Sequence, residues 1–181
     1  MQRTILIDRD KCVGGYSCIV ACKLEHNLPP YPVSPPVGNP KGPELIRVYQ
    51  FGPQISDDKV RQHFQPILCM HCLDAPCIGA CPRSAIDEDI DTGVVLVDEE
   101  KCIGCKSCLS ACPYGAPEFH HGKLCLCDLC IHRLGDERPE GRYAACEAAC
   151  QAGAIRVGTT GEIPATLGKK AAERATKERS V

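Results

Sequence analysis

Short apolar runs separated by polar turns recur along this chain, and two of them occupy equivalent places in an internal repeat. Residues 5–22, ILIDRDKCVGGYSCIVAC, align with residues 95–112, VLVDEEKCIGCKSCLSAC. Each copy begins with β-branched apolar residues, which predicts strands over Ile5–Ile7 and Val94–Val97. Residues 44–51, ELIRVYQF, predict a further strand, with residues 59–65 as its partner. The pattern therefore predicts short strands built around a duplicated unit.

Two stretches lack this strand pattern. Residues 29–43 contain seven prolines, and because proline fixes φ and lacks a backbone donor, this part is expected to be extended. It belongs to a Pro-rich insertion, residues 29–66, that we expect to wrap the surface. The C-terminal tail, residues 161–181, is rich in Ala, Lys, Glu and Arg and is predicted to be either a solvated helix or disordered.

Cysteine changes this picture. The 181 residues include 16 Cys but only 3 Phe, 5 Tyr and no Trp, so a conventional apolar core would be thin and bound metal would stabilise the fold. The N-terminal residues carry charges where a secretory signal would be apolar, and no apolar run is long enough to cross a membrane. We therefore expect a cytoplasmic location, where cysteines rarely form disulfides. The net charge of -2 argues against a nucleic-acid surface.

The spacing of the cysteines points to iron–sulfur clusters. Segment three, residues 102–113, CIGCKSCLSACP, follows C-x2-C-x2-C-x3-C-P, in which three thiolates bind one cluster and the fourth reaches another. Segment two, residues 69–82, CMHCLDAPCIGACP, repeats this pattern with a longer middle loop. Exchange of the fourth cysteine gives a first site of Cys69, Cys72, Cys77 and Cys112, and a second site of Cys102, Cys105, Cys108 and Cys81. Both are predicted to bind 4Fe-4S clusters.

Segment one, residues 12–22, and segment four, residues 127–150, form a less regular pair. By the same exchange, the third site is Cys127, Cys130, Cys146 and Cys22, which also predicts a 4Fe-4S cluster. The incomplete site has only Cys12, Cys18 and Cys150, because Gly15 stands where the repeat has Cys105. It could hold a 3Fe-4S cluster, a 4Fe-4S cluster that recruits Cys125 or a non-cysteine ligand, zinc, or nothing.

Other interpretations of these residues carry less weight. Zinc uses pairs of C-x2-C, but it does not need the third thiolate that closely follows each pair in the regular segments. His71 lies between two predicted ligands, and we expect it to donate a hydrogen bond that tunes a cluster rather than to bind iron. Asp8 and Asp98 occupy matching places in the repeat, which favours a structural turn over proton transfer. The remaining histidines are expected at the surface or beside the ligands: His26, His63, His120, His121 and His132.

The four cysteine segments, with the connection HRLGDERPEGRYAACEAAC after Cys130, resemble the ferredoxin-like electron-transfer subunits of the dimethyl sulfoxide reductase class. The resemblance covers residues 5–155. It implies an α+β fold, a pseudo-twofold pair of bacterial-ferredoxin-like modules with short strands, short helices and the Pro-rich insertion. Residues 1–28 with 123–160 would form the outer module, and residues 67–122 the inner one.

The resemblance also implies a function. Such subunits hold up to four clusters in a row and dock on a catalytic subunit with a molybdenum or tungsten pterin. Similar small subunits accompany tungsten enzymes of anaerobes such as tungsten benzoyl-coenzyme A reductase, and this short chain resembles that cytoplasmic branch. We thus expect a non-catalytic subunit that relays single electrons between the pterin subunit and an external redox partner. The insertion and the tail are the expected partner contacts, because neither is needed to bind a cluster.

Two alternatives belong to other classes. A free soluble polyferredoxin would shuttle electrons between several enzymes, and a strongly acidic surface would favour it, which the net charge of -2 supports only weakly. A catalytic iron–sulfur enzyme would need an open iron, for which the incomplete site is the sole candidate.

Overall fold

Short strands and short helices alternate along the chain. The structure is a computed structural model that describes residues 2–29, 42–56, 59–135 and 143–164. The strands are β1 (Arg3–Ile7), β2 (Ile46–Ser56), β3 (Lys59–Leu68), β4 (Ile86–Glu88), β5 (Val95–Val97), β6 (Glu118–His120), β7 (Lys123–Cys125) and β8 (Ile155–Thr159). The helices are α1 (Ser17–Glu25), α2 (Pro76–Gly79), α3 (Ser107–Ala111), α4 (Ile131–Leu134) and α5 (Ala145–Ala148). This mixture of short elements agrees with the predicted α+β class. Residues 30–41 of the Pro-rich insertion and residues 165–181 of the tail lie outside the described residues.

Within the described residues, each strand pairs antiparallel with one other strand. β1 pairs with β8, placing Arg3 opposite Thr159 and Ile7 opposite Ile155. β4 pairs with β5. The strands predicted at the start of each repeat copy are confirmed as β1 and β5, and each leads directly into a cysteine loop. The N-terminal strand therefore lies beside the last strand of the described chain, although the two are far apart in sequence.

The predicted pairing of residues 44–51 with residues 59–65 is confirmed as the hairpin of β2 and β3, with a register shift between Phe51 and Gln54. An arginine attaches this hairpin to the chain that follows α3. Arg47 Nη2 donates to the carbonyl of Gly115, and its Nη1 lies 3.3 Å from Glu118 Oε1. Burial raises the pKa of Glu118, and the guanidinium of Arg47 opposes that effect. The ion pair thus fixes the hairpin against β6.

A second hairpin, β6 with β7, was not predicted. Its turn consists of His121 and Gly122, which both have positive φ, 48° and 77°. Two successive left-handed residues are typical of the tight turns that join antiparallel strands. The expected module boundary at 122/123 falls in this turn.

The cysteine loops of segments one and three, here loop one and loop three, have matching backbone conformations. Gly14 and Gly104 have φ of 69° and 68°, and Tyr16 and Lys106 have φ of 54° and 65°. Loop one therefore keeps the geometry of loop three although it lacks one cysteine.

The predicted turn role of the repeat's aspartates is also confirmed. Asp8 Oδ1 accepts a hydrogen bond from the backbone N–H of Asp10. Asp98 Oδ1 accepts bonds from the N–H groups of Glu100 and Lys101. The two carboxylates thus hold the turns that lead from each strand into its cysteine loop.

Buried apolar side chains form two groups in which cysteines take part. The larger contains Ile46, Leu68, Leu129 and Val157, and the smaller contains Ile86, Val95 and Leu124. No Phe or Tyr is buried among the described residues. The buried core of the described residues therefore consists of aliphatic side chains and cysteines. None of the helices in the described ranges has the length and apolar character needed to span a bilayer.

Candidate metal centres

All sixteen cysteines are unpaired thiols. Nine are buried and only Cys105 is exposed. Most lie in loops or at the starts of short helices, where several sulfurs face one another. The predicted sets can therefore be followed through the electrostatic effect of each thiol on its neighbours.

At the first site, thiols from two segments lie close together. Burial raises the pKa of Cys69 to about 12, and the neighbouring Cys77, Cys112 and Cys72 add to this effect. Burial likewise raises the pKa of Cys77, with further contributions from Cys112 and Cys72. Cys112 belongs to segment three, so the structure brings the predicted exchanged thiol to the three thiols of segment two.

The second site lies in the smaller core group. Burial raises the pKa of Cys108, and Cys105 and Cys102 contribute in the same direction. Cys81 packs against the same group of buried residues as Cys102 and Cys108. The exposed Cys105 differs from the others, because a hydrogen bond to the Ser107 hydroxyl lowers its pKa. This site is the one with a sulfur open to solvent.

The third site contains the most deeply buried thiols. Burial raises the pKa of Cys127 well above its ordinary value, and Cys22 and Cys146 add to the effect. Burial raises the pKa of Cys146 to about 12, with Cys130 as the next cause. Burial also raises the pKa of Cys22, and Cys146 and Cys130 raise it further. Here too the fourth thiol comes from the paired segment.

The incomplete site is a cavity of about 150 Å³ at Gly15. Burial raises the pKa of Cys18 to about 11, and Cys150 and Cys12 also raise it. All three cysteines line the cavity together with Gly15, and Val48 and Pro66 of the β2–β3 hairpin line it as well. The described part of the Pro-rich insertion thus contacts a site, although the sequence suggested only a partner contact.

Cys125 is not brought to the incomplete site. Burial raises its pKa, and its charged neighbours are Glu99, Glu118 and Cys102. It lines a different cavity, beside Leu124 and Asp128. The structure therefore offers no fourth thiol to Cys12, Cys18 and Cys150 among the described residues.

Backbone N–H groups are directed at several of these sulfurs. In three cases the donor lies four residues after the last cysteine of a segment, and two more donors come from other parts of the chain. The pairs are Ala85 with Cys81 (3.3 Å), Ala116 with Cys112 (3.4 Å), Ala154 with Cys150 (3.2 Å), Leu124 with Cys102 (3.4 Å) and Ala145 with Cys130 (3.5 Å). Such donors stabilise negative charge on sulfur, which burial alone disfavours.

The donor set fits iron–sulfur clusters. Several buried thiols converge at each site, and thiolate is the form that binds metal, so burial without a cation would be unfavourable. Sulfur ligands in sets of four are shared by 4Fe-4S clusters and by structural zinc. The exchange of one thiol between paired segments is the pattern of two-cluster ferredoxins.

One histidine lies inside this arrangement. His71 is only 8% exposed, has a left-handed φ of 46°, and its Nδ1 accepts a hydrogen bond of 2.9 Å from the backbone N–H of Val95. Burial lowers the pKa of His71 to about 4, so the ring is neutral. Its Nε2 atom is buried and has no hydrogen-bond partner in the described part of the chain.

A network beside the third site was missed by the sequence reasoning. Asp128 accepts from the backbone N–H of Cys130 (2.8 Å) and contacts His132 Nδ1 (2.8 Å) and His26 Nε2 (3.5 Å). His132 Nε2 in turn lies 2.9 Å from Glu25. Hydrogen bonding to His132 lowers the pKa of Glu25. Residues so distant in sequence carry no joint signal, so no motif could have revealed this network.

These paired cysteine loops define a ferredoxin-like iron–sulfur protein. Comparison with known families supports that class: the model of the 4Fe-4S dicluster domain matches residues 60–160. The chain belongs to this family.

Several curated proteins are similar to the chain. It is 39% identical to a sulfite dehydrogenase subunit of Allochromatium vinosum, over 84% of this chain and 67% of that protein. It is 40% identical to the polyferredoxin-like subunit of aliphatic sulfonate oxidoreductase of Pyrococcus furiosus, over 70% of this chain and 64% of that protein. It is 33% identical to the probable anaerobic dimethyl sulfoxide reductase chain YnfG of Escherichia coli, over 94% of this chain and 80% of that protein. The chain thus spans about two thirds of the Allochromatium and Pyrococcus proteins, and it spans 55% of the hydrogenase-2 operon protein HybA of Escherichia coli O157:H7, to which it is 30% identical.

Proposed function

We propose that the chain is a non-catalytic electron-transfer subunit. It relays single electrons between a catalytic subunit with a molybdenum or tungsten pterin and an external redox partner. The observation that carries this proposal is that cysteines of four sites lie within the two core groups. Three of these sites have four cysteines each. The names of the relatives support a subunit role, since they describe subunits or chains of oxidoreductases.

The core groups support an order for the sites. The smaller group contains thiols of the second site and Cys77 of the first. The larger group contains Cys69 of the first site together with thiols of the third and incomplete sites. Cys18 of the incomplete site also raises the pKa of Cys146 of the third site, so these two sites lie near each other. The proposed order is therefore second, first, third and incomplete site.

We assign 4Fe-4S clusters to the first, second and third sites, and a 3Fe-4S cluster to the incomplete site. When bound, such clusters accept and release one electron at potentials between about -700 and +450 mV, depending on their surroundings. The chain contributes thiolate ligands, backbone N–H donors to sulfur and exclusion of water from the buried sites. None of these contributions requires a catalytic group.

Both ends of this order carry exposed residues. Cys105 of the second site is exposed, and Ile103 in the same loop is 62% exposed. At the other end, Val13 of loop one is 71% exposed. Exposed apolar residues next to a cluster loop suit contact with a partner protein, and short distance favours electron transfer there. We propose that the two ends face the two redox partners.

We also propose that the chain is built from two modules. Two modules related by a pseudo-twofold axis would hold two sites each, residues 1–28 with 123–160 forming the outer one and residues 67–122 the inner one. The pairing of β1 with β8 supports the joining of the two outer pieces. We place the complex in the cytoplasm of an anaerobe, because sixteen unpaired thiols suit a reducing compartment.

Purification of the tagged chain from its native host under anaerobic conditions tests this function. We expect a stable complex with a larger subunit, and metal analysis of that complex should find molybdenum or tungsten together with iron. A free monomer that retains its clusters and associates with no larger subunit would instead indicate a soluble polyferredoxin. Electron transfer from a reduced dye through the complex should be lost when the exposed end at the second site is blocked.

A further inference from the structure

A buried hydrogen-bond donor without a protein partner lies in the middle of the row of sites. His71 Nε2 has no hydrogen-bond partner among the described residues, and the side chain is 8% exposed. An unsatisfied buried polar group costs about 1–3 kcal/mol. Such a cost indicates that an acceptor is supplied by a group that the protein binds.

The hydrogen bond on the other side of the ring fixes which nitrogen carries the proton. Val95 N–H is a donor only, so Nδ1 of His71 must accept, at 2.9 Å. In a neutral imidazole the second nitrogen is then protonated. Nε2 is therefore an N–H donor, and its tautomer is set by β5.

The ring belongs to the loop of the first site and lies near the third site. Two ligands of the first site, Cys69 and Cys72, flank His71 in sequence. Asp128, between two ligands of the third site, is the charged residue that acts on the ring. The backbone N–H of His71 also hydrogen-bonds to Cys69, so His71 is tied to the ligand loop of the first site.

We propose that His71 Nε2–H donates a hydrogen bond to a sulfur of the cluster at the first site and raises the reduction potential of that cluster. The inference rests on the proposed function, since it needs a cluster at this site. A donor to sulfur favours the reduced state, because the cluster becomes more negative when it gains its electron. The ring keeps its proton during this step, so one electron is added and no proton moves. His71 thus acts on the cluster through this hydrogen bond, and it is not a ligand of iron.

The repeat supplies a natural reference for this position. Segment four has Leu129 at the place of His71, and Leu129 adopts the same left-handed backbone, with φ of 52°. Leu129 is 1% exposed. A leucine is thus accommodated in such a loop, so His71→Leu should fold and load its clusters.

Three substitutions separate the two hydrogen bonds of the ring. His71→Leu removes both. His71→Asn keeps an acceptor close to the position of Nδ1 for Val95 N–H but has no distal donor. His71→Gln places an amide N–H near the position of Nε2 but removes the proximal acceptor. The potentials of the clusters are measured by EPR-monitored redox titration of the holoprotein, and stability by thermal unfolding.

We expect one reduction step to shift to lower potential in His71→Leu and in His71→Asn, by about 59 mV for a tenfold change in the ratio of reduced to oxidised cluster. The same step should return towards the wild-type value in His71→Gln. Thermal stability should depend on the hydrogen bond from Val95 N–H. His71→Asn, which keeps an acceptor for that bond, should therefore be closest to wild type in stability. Unchanged potentials in fully loaded His71→Leu and His71→Asn would overturn the inference.

A measurement on the unmodified protein keeps the inference testable if the variants load poorly. In wild-type holoprotein labelled with ¹⁵N-histidine, pulsed EPR should detect coupling between one histidine nitrogen and a reduced cluster. Absence of this coupling, with the cluster present, would refute the hydrogen bond. Absence of the cluster itself would instead refute the proposed function.

Discussion

Replacing Gly15 by cysteine should convert the incomplete site into a complete one. Loop one has the backbone of loop three at Gly14 and Tyr16, so a cysteine at position 15 would stand where Cys105 stands in the repeat. It would join Cys12, Cys18 and Cys150 around the cavity. We predict that the 3Fe-4S cluster becomes a 4Fe-4S cluster.

The structure sets the energetic consequence of this change. A Cβ at Gly15 would meet no atom within 4 Å, and Gly15 does not have a left-handed φ. Replacing such a glycine removes freedom mainly from the unfolded chain, which stabilises a protein by about 0.4–1 kcal/mol. Gly14 is the contrasting neighbour: its φ is +69°, and an added Cβ would lie 2.3 Å from Phe64 Cε1. Gly14→Cys should therefore damage the loop while adding the same thiol.

EPR of the oxidised holoprotein is the assay, because an oxidised 3Fe-4S cluster gives a signal that an oxidised 4Fe-4S cluster does not. Wild type and the matched control Gly15→Ala should show this signal, and Gly15→Cys should lose it while gaining a further signal on reduction. A three-iron signal that persists in Gly15→Cys, or that is missing from wild type, would refute the reasoning about this site.

Three further predictions concern other parts of the chain. Cys112→Ser should remove the cluster of segment two and leave that of segment three, as counted by EPR; loss of the segment three cluster instead would contradict ligand exchange. Gly104→Ala should lower the stability of the cluster-loaded protein by about 2–3 kcal/mol, because φ is +68° and the added Cβ would lie 2.2 Å from Gly122 O; unchanged thermal unfolding would exclude this packing. Arg47→Met should lower the free energy of unfolding by about 2 kcal/mol, less than for a fully buried pair because both side chains are partly exposed. Glu118→Gln should cost less, because burial already raises the pKa of Glu118; equal losses in denaturant unfolding would contradict this difference.

The sequence predicted those features that are local or repeated. The strands before Cys12 and Cys102 follow from β-branched residues, and the turns at Asp8 and Asp98 follow from the repeat. The hairpin at His121 and Gly122 was missed, although His-Gly between alternating residues is a weak turn signal.

Features that depend on distant contacts could not be predicted. Nothing local indicates that Val48 and Pro66 line the cavity at Gly15, because hairpin packing is decided by the whole fold. The histidine in segment two was expected to donate a hydrogen bond, but the tautomer depends on Val95, which belongs to another strand. The link between Glu25 and His132 has the same origin.

The most direct test of the proposed set of clusters, on which the relay depends, is native mass spectrometry of the chain purified anaerobically, which counts iron and sulfide in each molecule. Three 4Fe-4S clusters and one 3Fe-4S cluster correspond to about 15 irons per chain, and we predict this count. Fewer than about 10 irons per folded chain, or zinc in place of iron, would contradict the proposal.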